Sequence, residues 1–188
     1  MADRLPIPRR IVRRAPGPGS ERGIVVPFPR RHRRLRRREL PVLLGFLVLA
    51  FAPALVGAPF GPDAWYASLE KPSWNPPPPV FAPVWTALYL ALGVAGFLAW
   101  RASRGAARRA AFAAYGAHLA LNAAWTPLFF GAHAPTAAAA VLSLVVVAAS
   151  VNLALFSRIR PAAGVLLAPV VAWVAFAFAL NLAIVRLQ

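Results

Sequence analysis

Cysteine is absent from this chain, and carboxylates nearly so: five Asp and Glu stand against 21 Lys and Arg in 188 residues. The first absence excludes disulfides, thiolate nucleophiles and thiolate metal sites. The second removes most of the material for acid–base chemistry. Asp3, Glu21, Glu39, Asp63 and Glu70 all precede the longest apolar runs. No carboxylate pair, Ser-His-Asp set or phosphate-binding loop can be assembled from the sequence. His32, His118 and His133 are far apart and have no carboxylate beside them in the chain, so no metal site is expected. Ion-coupled pumps carry ionisable groups within their membrane helices. Here the long apolar runs hold no Asp, Glu, Lys or Arg before Arg186, near the C-terminus.

What the chain has in excess is apolar surface. Hydrophobic residues make up 60% and charged residues 14%, against about 45–50% and 25% in soluble domains. That balance predicts a membrane protein. The net charge of +16 is unevenly spread, with 13 of the 21 basic residues before Leu40. Residues 1–39 are rich in Arg, Pro and Gly. They hold too little apolar surface to offset the entropy of ordering, which predicts a disordered basic tail lying near anionic lipid headgroups. The tail has no interleaved aromatics, so nucleic acid is not expected as a partner.

Residues 40–188 read as one all-α membrane domain. About 20 apolar residues cross the hydrocarbon core as a helix, and five such runs are expected. They lie at 40–59, 80–100, 110–130, 136–156 and 162–185. The breaks are Gly61-Pro62-Asp63, the basic stretch 101–109, residues 131–135, and Arg158-Ile159-Arg160-Pro161. Five spans put the tail and loops 101–109 and 157–161 on one side. The other side carries only Lys71 and Arg186, so the N-terminus is expected in the cytoplasm and the C-terminus outside.

Three runs carry polar or aromatic stripes at helical spacing. The second holds Trp85, Tyr89, Gly93, Gly96 and Trp100. The third holds Tyr115, His118, Asn122, Trp125 and Phe129. The fifth holds Pro169, Trp173, Ala177 and Asn181. A polar side chain in mid-membrane costs free energy unless it finds a partner. His118 and Asn122 are therefore expected to face the bundle interior, either toward a ligand or toward another helix. Before the second run, Trp65 and Tyr66 lead through Trp74 into Pro76–Pro79, a proline-stiffened loop suited to covering a pocket.

These stretches closely resemble the tryptophan-rich sensory protein and translocator protein family, TspO/MBR. The matching residues are Trp65-Tyr66-x-x-Leu69-x-Lys71-Pro72-Ser73-Trp74-x-Pro76-Pro77 and Phe81-x-x-Val84-Trp85-x-x-Leu88-Tyr89. His118-Leu119-Ala120-Leu121-Asn122-x-x-Trp125 and Pro169-x-x-Ala172-Trp173-x-x-Phe176-Ala177 follow. The resemblance implies a five-helix membrane bundle, usually a homodimer, that needs no cofactor and binds tetrapyrroles such as porphyrin or haem. For animal members it also implies cholesterol and synthetic drugs. It further implies a bacterial cell-membrane location for a chain of this composition. By the same resemblance, Trp85, Asn122, Trp125 and Trp173 are pocket residues, and Ala177 is a small residue whose enlargement disturbs binding. Trp65, Trp74, Tyr89, His118 and Phe129 complete the expected ligand-binding set. No catalytic residue is expected, unless the light-dependent porphyrin breakdown reported for some bacterial members occurs here. In that case Trp85 and Trp173 would carry it. The chain departs from the family pattern at His118 (usually Gln), Val170 (usually Tyr), and Leu182 and Val185, which leave the C-terminal cholesterol motif incomplete.

Overall fold

Proline and charge cut the apolar sequence into rods, and the rods assemble by size of side chain. The computed structural model describes residues 37–188, and among them every regular element is helical. The first rod is α1 (Leu40–Ala50) followed by α2 (Ala52–Gly57), broken at Phe51 just before Pro53. A short helix, α3 (Ala64–Ser68), lies in the following loop. The remaining rods are α4 (Phe81–Ala102), α5 (Gly105–Thr126), α6 (Pro135–Ile159) and α7 (Pro161–Leu187). The expected disordered tail falls outside the described residues except for Arg37–Glu39. These form a 3-10 turn leading into α1, with Glu39 in an ion pair with Arg101 at 3.3 Å.

Four rods are long and apolar enough to cross a membrane: Arg37–Gly57, Pro78–Ala102, Pro135–Ile159 and Pro161–Leu187. The third rod is different. Its helix runs on from Thr126 through a π-helical segment, Pro127–Gly131, giving 22 + 5 = 27 continuous residues, or about 40 Å. It is long enough to span but less apolar, because it carries Arg108, Arg109, His118 and Asn122 among many alanines. The basic stretch 101–109, expected as a loop, is mostly helix. Only Ser103 and Arg104 are extended, and Gly105 (φ +57°) starts the next rod. Alanine and arginine are good helix formers, and the charge of the arginines concealed that propensity.

The rods close into a ring in the order first, second, fifth, fourth, third. Glycine makes the first closure. A Cβ on Gly93 would meet Leu47 at 2.8 Å from Cδ2 and 3.0 Å from Cα, so α1 and α4 touch backbone to side chain there. Gly93 and Gly96 thus serve close approach between helices. They are not part of a ligand face, although they share a stripe with Trp85. At the end that carries Arg108, Tyr115 stacks on Phe156 (centroids 5.8 Å apart), filling the ring with aromatics. Arg108 caps that end, donating to the Trp100 carbonyl oxygen at 2.6 Å with its guanidinium over the indole at 5.2 Å.

Candidate functional site

At the other end the ring does not fill, and the reason is in the backbone. Pro127 has no N–H to offer the preceding turn, so the ladder of the third rod widens into a π segment. The Ala132 N–H reaches back five residues to the Pro127 carbonyl oxygen at 2.8 Å. This segment re-aims Phe129 and Phe130 inward beside Trp125. Pro169 lies inside α7, where it too lacks an N–H for the ladder, and precedes Trp173 by one turn. Between these elements lies a cavity of about 340 Å³.

The walls are aromatic. Trp85 comes from α4, Trp125 from α5, Phe129 and Phe130 from the π segment, and Trp173 with Ala177 from α7. The rings brace one another: Trp125 stacks on Phe129 at 5.3 Å, Trp85 on Tyr89 at 5.2 Å, and Phe81 meets Trp173 edge-on at 6.0 Å. The few polar groups at the wall are Thr126, Asn181 and the Tyr66 hydroxyl. Asn181 is 2% exposed. Its Oδ1 accepts from Trp125 Nε1 at 3.1 Å, and its Nδ2 donates to the Pro135 carbonyl oxygen at 2.9 Å. One amide therefore fixes the tilt of a wall indole and ties α7 to the start of α6.

Five of the ten expected site residues line this cavity: Trp85, Trp125, Phe129, Trp173 and Ala177. The other five do not. Tyr89, His118 and Asn122 lie below its floor. Tyr89 faces Asn122, and the fully buried His118 faces Asn152 of α6, also fully buried. These four polar side chains sit together among α4, α5 and α6, with the His118 nitrogens and the Asn152 amide lacking well-formed hydrogen bonds, so His118 and Asn122 meet helices and leave the cavity to Asn181. Trp74 is 48% exposed and touches Phe176 edge-on at 5.8 Å. Trp65 stands behind Phe129 at 5.7 Å, outside the lining.

Trp65 has another task. Its indole stacks on His133 at 4.3 Å with an interplanar angle of 15°. His133 sits at φ +50° and its Nε2 lies 3.0 Å from Asp63 Oδ2. The absence of a carboxylate beside this histidine in sequence was misleading, because the fold brings Asp63 to it across 70 residues. Asp63 also caps α3, accepting from the Tyr66 N–H at 2.9 Å. The pair thereby latches the loop after α2 onto the connection between α5 and α6. A Cβ on Gly131 would lie 2.6 Å from the Phe60 ring, which closes the same contact sterically. The loop is braced elsewhere by Lys71 Nζ, which donates to the Leu69 carbonyl oxygen at 2.8 Å and lies 4.6 Å over the Tyr66 ring. Gln188 Nε2 ties the C-terminus to it through the Glu70 carbonyl oxygen at 3.2 Å.

Asp63 gives a pH prediction. The Tyr66 N–H holds its carboxyl below the usual carboxylate range, and His133 adds to this against a smaller cost of desolvation. A lowered folded pKa means the cap is fully formed above the unfolded value, about 3.9, and is lost as pH falls through the folded one. The Tyr66 amide shift should follow the carboxyl as it titrates at acid pH, with a midpoint below about 3.9. In Asp63→Asn, which still caps, it should stay flat. A midpoint above 4 would show that the cap does not favour the charged form.

Sequence reasoning passed over Asn152 and left Asn181 out of the pocket. The signal for both was available: a lone Asn within an apolar run is costly in lipid and therefore turns to the bundle interior. Asn152 was hidden in a run of alanine and valine that offered no stripe.

Comparison with known proteins agrees with this architecture. Residues 40–187 match the model of the TspO/MBR family. The chain is 38% identical over 147 residues to the tryptophan-rich sensory protein of Cereibacter sphaeroides, covering 78% of this chain and 91% of that one. It is 42% identical over 124 residues to the translocator protein of Homo sapiens, covering 65% and 73%. It is 36% identical over 151 residues to protein CrtK of Rhodobacter capsulatus, covering 80% and 94%.

Proposed function

Because the chain belongs to the TspO/MBR family and is an integral membrane protein of helical rods, we propose that its cavity binds planar hydrophobic ligands, porphyrins and haem foremost. The observation that carries this reading is the convergence of three indoles from three rods, Trp85, Trp125 and Trp173, on one apolar space with Asn181 at its edge. Flat aromatic faces stack on a flat ligand, each contact worth about 0.5–1.5 kcal/mol beyond burial. A few fixed polar groups then orient it. The volume of about 340 Å³ is at the small end of the roughly 300–1,000 Å³ usual for ligand sites. A full macrocycle therefore occupies it only as the wall side chains yield, whereas a smaller planar ligand fits the cavity as it stands.

The role is binding and sensing, with transport as its extension. The test is a titration of the purified protein in lipid nanodiscs with protoporphyrin and with haem, followed by tryptophan quenching in the dark. Saturable quenching supports the reading, and its absence with both ligands rejects it. Repeating the titration under illumination separates binding from breakdown. Light-dependent loss of porphyrin absorbance that requires Trp85 and Trp173 would make the protein an enzyme.

The orientation we infer places the arginine-rich end in the cytoplasm of a bacterial cell membrane, with the latch and the C-terminus outside. Arg101, Arg104, Arg108 and Arg109 cluster around the second turn, and Arg158 and Arg160 around the fourth. The opposite end of the ring carries the loop and His133. A cysteine at Ala67 should react with an impermeant thiol reagent in intact cells, and one at Ala106, equally exposed at the other end, should not. The reverse pattern overturns the orientation.

A homodimer is the assembly we propose, with the outer face of α5 as its seam. Ala113, Gly116, Ala117 and Ala120 are exposed there, and nothing lies within 4 Å of a Cβ built on Gly116. Small residues of this kind let membrane helices approach closely. Elsewhere the surface is clad in Leu and Val suited to membrane lipid.

A further inference from the structure

We propose that the ligand enters and leaves the cavity sideways, from the lipid, through a groove between α4 and α7 in which the Trp173 indole is the movable partition. This rests on the functional reading above, since it names the route to that same site.

The first observation is that Trp173 lines two spaces at once. Its inner side borders the cavity, and its outer side borders an open groove of about 430 Å³ on the bundle surface. The groove is otherwise walled by Val84, Leu88, Pro169, Ala172 and Phe176. All of these lie in rods whose length and composition suit the hydrocarbon core. What covers the groove is therefore lipid, and a planar hydrophobic molecule dissolved in that lipid reaches it without entering water.

The second observation concerns what holds the partition in place. Trp173 Nε1 is buried without a hydrogen-bond partner, whereas Trp125 Nε1 is anchored on Asn181. Trp173 is held by rings, Phe81 edge-on at 6.0 Å and Phe176 tilted at 5.3 Å. A swing of its indole breaks no hydrogen bond. An unpaired indole N–H in an apolar wall is a cost that packing alone does not explain. It is relieved whenever the ring turns toward a polar edge of a passing ligand.

The third observation is the position of Pro169. It stands one turn before Trp173, on the groove side of α7, and removes one rung of the helix ladder there. Helices bend at such points. By contrast the aqueous end is closed by the Asp63–His133 contact, the Trp65 stack and the Phe60–Gly131 contact. Of the two routes, the lateral one has the fewer polar contacts to break.

The experiment plugs each route in turn. Ala172→Phe fills the groove from an exposed position outside the cavity lining, and Ala175→Phe adds the same ring to an exposed position of α7 outside both spaces. Because the chain has no cysteine, a pair introduced as Asp63→Cys and His133→Cys can be cross-linked alone to hold the latch shut. Stopped-flow quenching by protoporphyrin in nanodiscs reads association and dissociation rates. We expect Ala172→Phe to slow both rates at least tenfold while Kd changes less than threefold. Ala175→Phe and the cross-linked latch should leave the rates within twofold of the parent. Slowing by the cross-link, with Ala172→Phe at parent rates, would place the entrance at the aqueous end and overturn the proposal. A weakened Kd with unchanged association in Ala172→Phe would make the groove part of the binding site or a seat for a lipid chain, and would also overturn it. If the parent protein binds no porphyrin in dark titrations, the functional reading itself falls, and this route falls with it.

Discussion

Ala177→Phe should abolish porphyrin binding, lowering affinity at least 100-fold, while the protein keeps its fold. Ala177 lies on α7 one turn beyond Trp173 and lines the cavity. A phenyl ring placed there occupies space that a planar ligand needs, and the surrounding rings already brace one another and have little room to yield. The loss corresponds to about 2.8 kcal/mol or more at about 1.4 kcal/mol per tenfold. Because the cavity is empty space in the free protein, the added ring fills a void and should not unfold the bundle. The check is a dark titration beside a thermal melt in detergent. Retained affinity with an intact melt would mean that ligand sits elsewhere.

Asn181→Ala should have the largest effect on stability. The substitution strands the Trp125 Nε1 donor, while the Pro135 carbonyl oxygen loses a second donor and keeps its place in the α6 ladder. A stranded group costs about 1–3 kcal/mol, so a loss of that order is expected in a helical membrane bundle where water cannot substitute. Binding should fall as well, because the freed Trp125 indole can tilt into the cavity. Asn181→Asp keeps the acceptor for Trp125 and loses only the donor to Pro135, so it should recover part of the affinity. A melt unchanged in Asn181→Ala would show that the Trp125 N–H finds a new partner and that the amide is no keystone.

Much of this arrangement was legible in the chain. The helical stripes put Trp85, Trp125 and Trp173 on the interior before any coordinates were needed, because a period of 3.6 survives in any helix. The rods were legible because proline and arginine interrupt apolar runs. What could not be read is how a stripe divides along its length. Trp85 and Gly93 are on one face of α4, yet one borders the cavity and the other abuts Leu47, a difference set by which neighbour crosses at that height. Likewise His118 and Asn122 face inward as expected, but inward at their depth means toward Tyr89 and Asn152. The π segment at Pro127 and the pairing of Asp63 with His133 join distant or irregular pieces, and neither periodicity nor spacing encodes them. The third rod shows the converse error, where arginines beside a turn concealed helix that alanine favours.

The central claim is that the aromatic cavity beneath the 60–79 loop is where a planar ligand binds. The most direct measurement is the dark porphyrin titration of Trp85→Ala, Trp173→Ala and Trp100→Ala side by side in nanodiscs. Trp85 and Trp173 stand in the cavity wall, and Trp100 packs against Arg108 at the far end of the bundle. Losing one stacking partner from the wall should cost on the order of 1–3 kcal/mol, or roughly 5–150-fold in Kd. Trp100→Ala should bind as the parent does. Parent-like affinity in both wall variants, with a weakened Trp100→Ala, would contradict the account and move the site to the other end of the molecule.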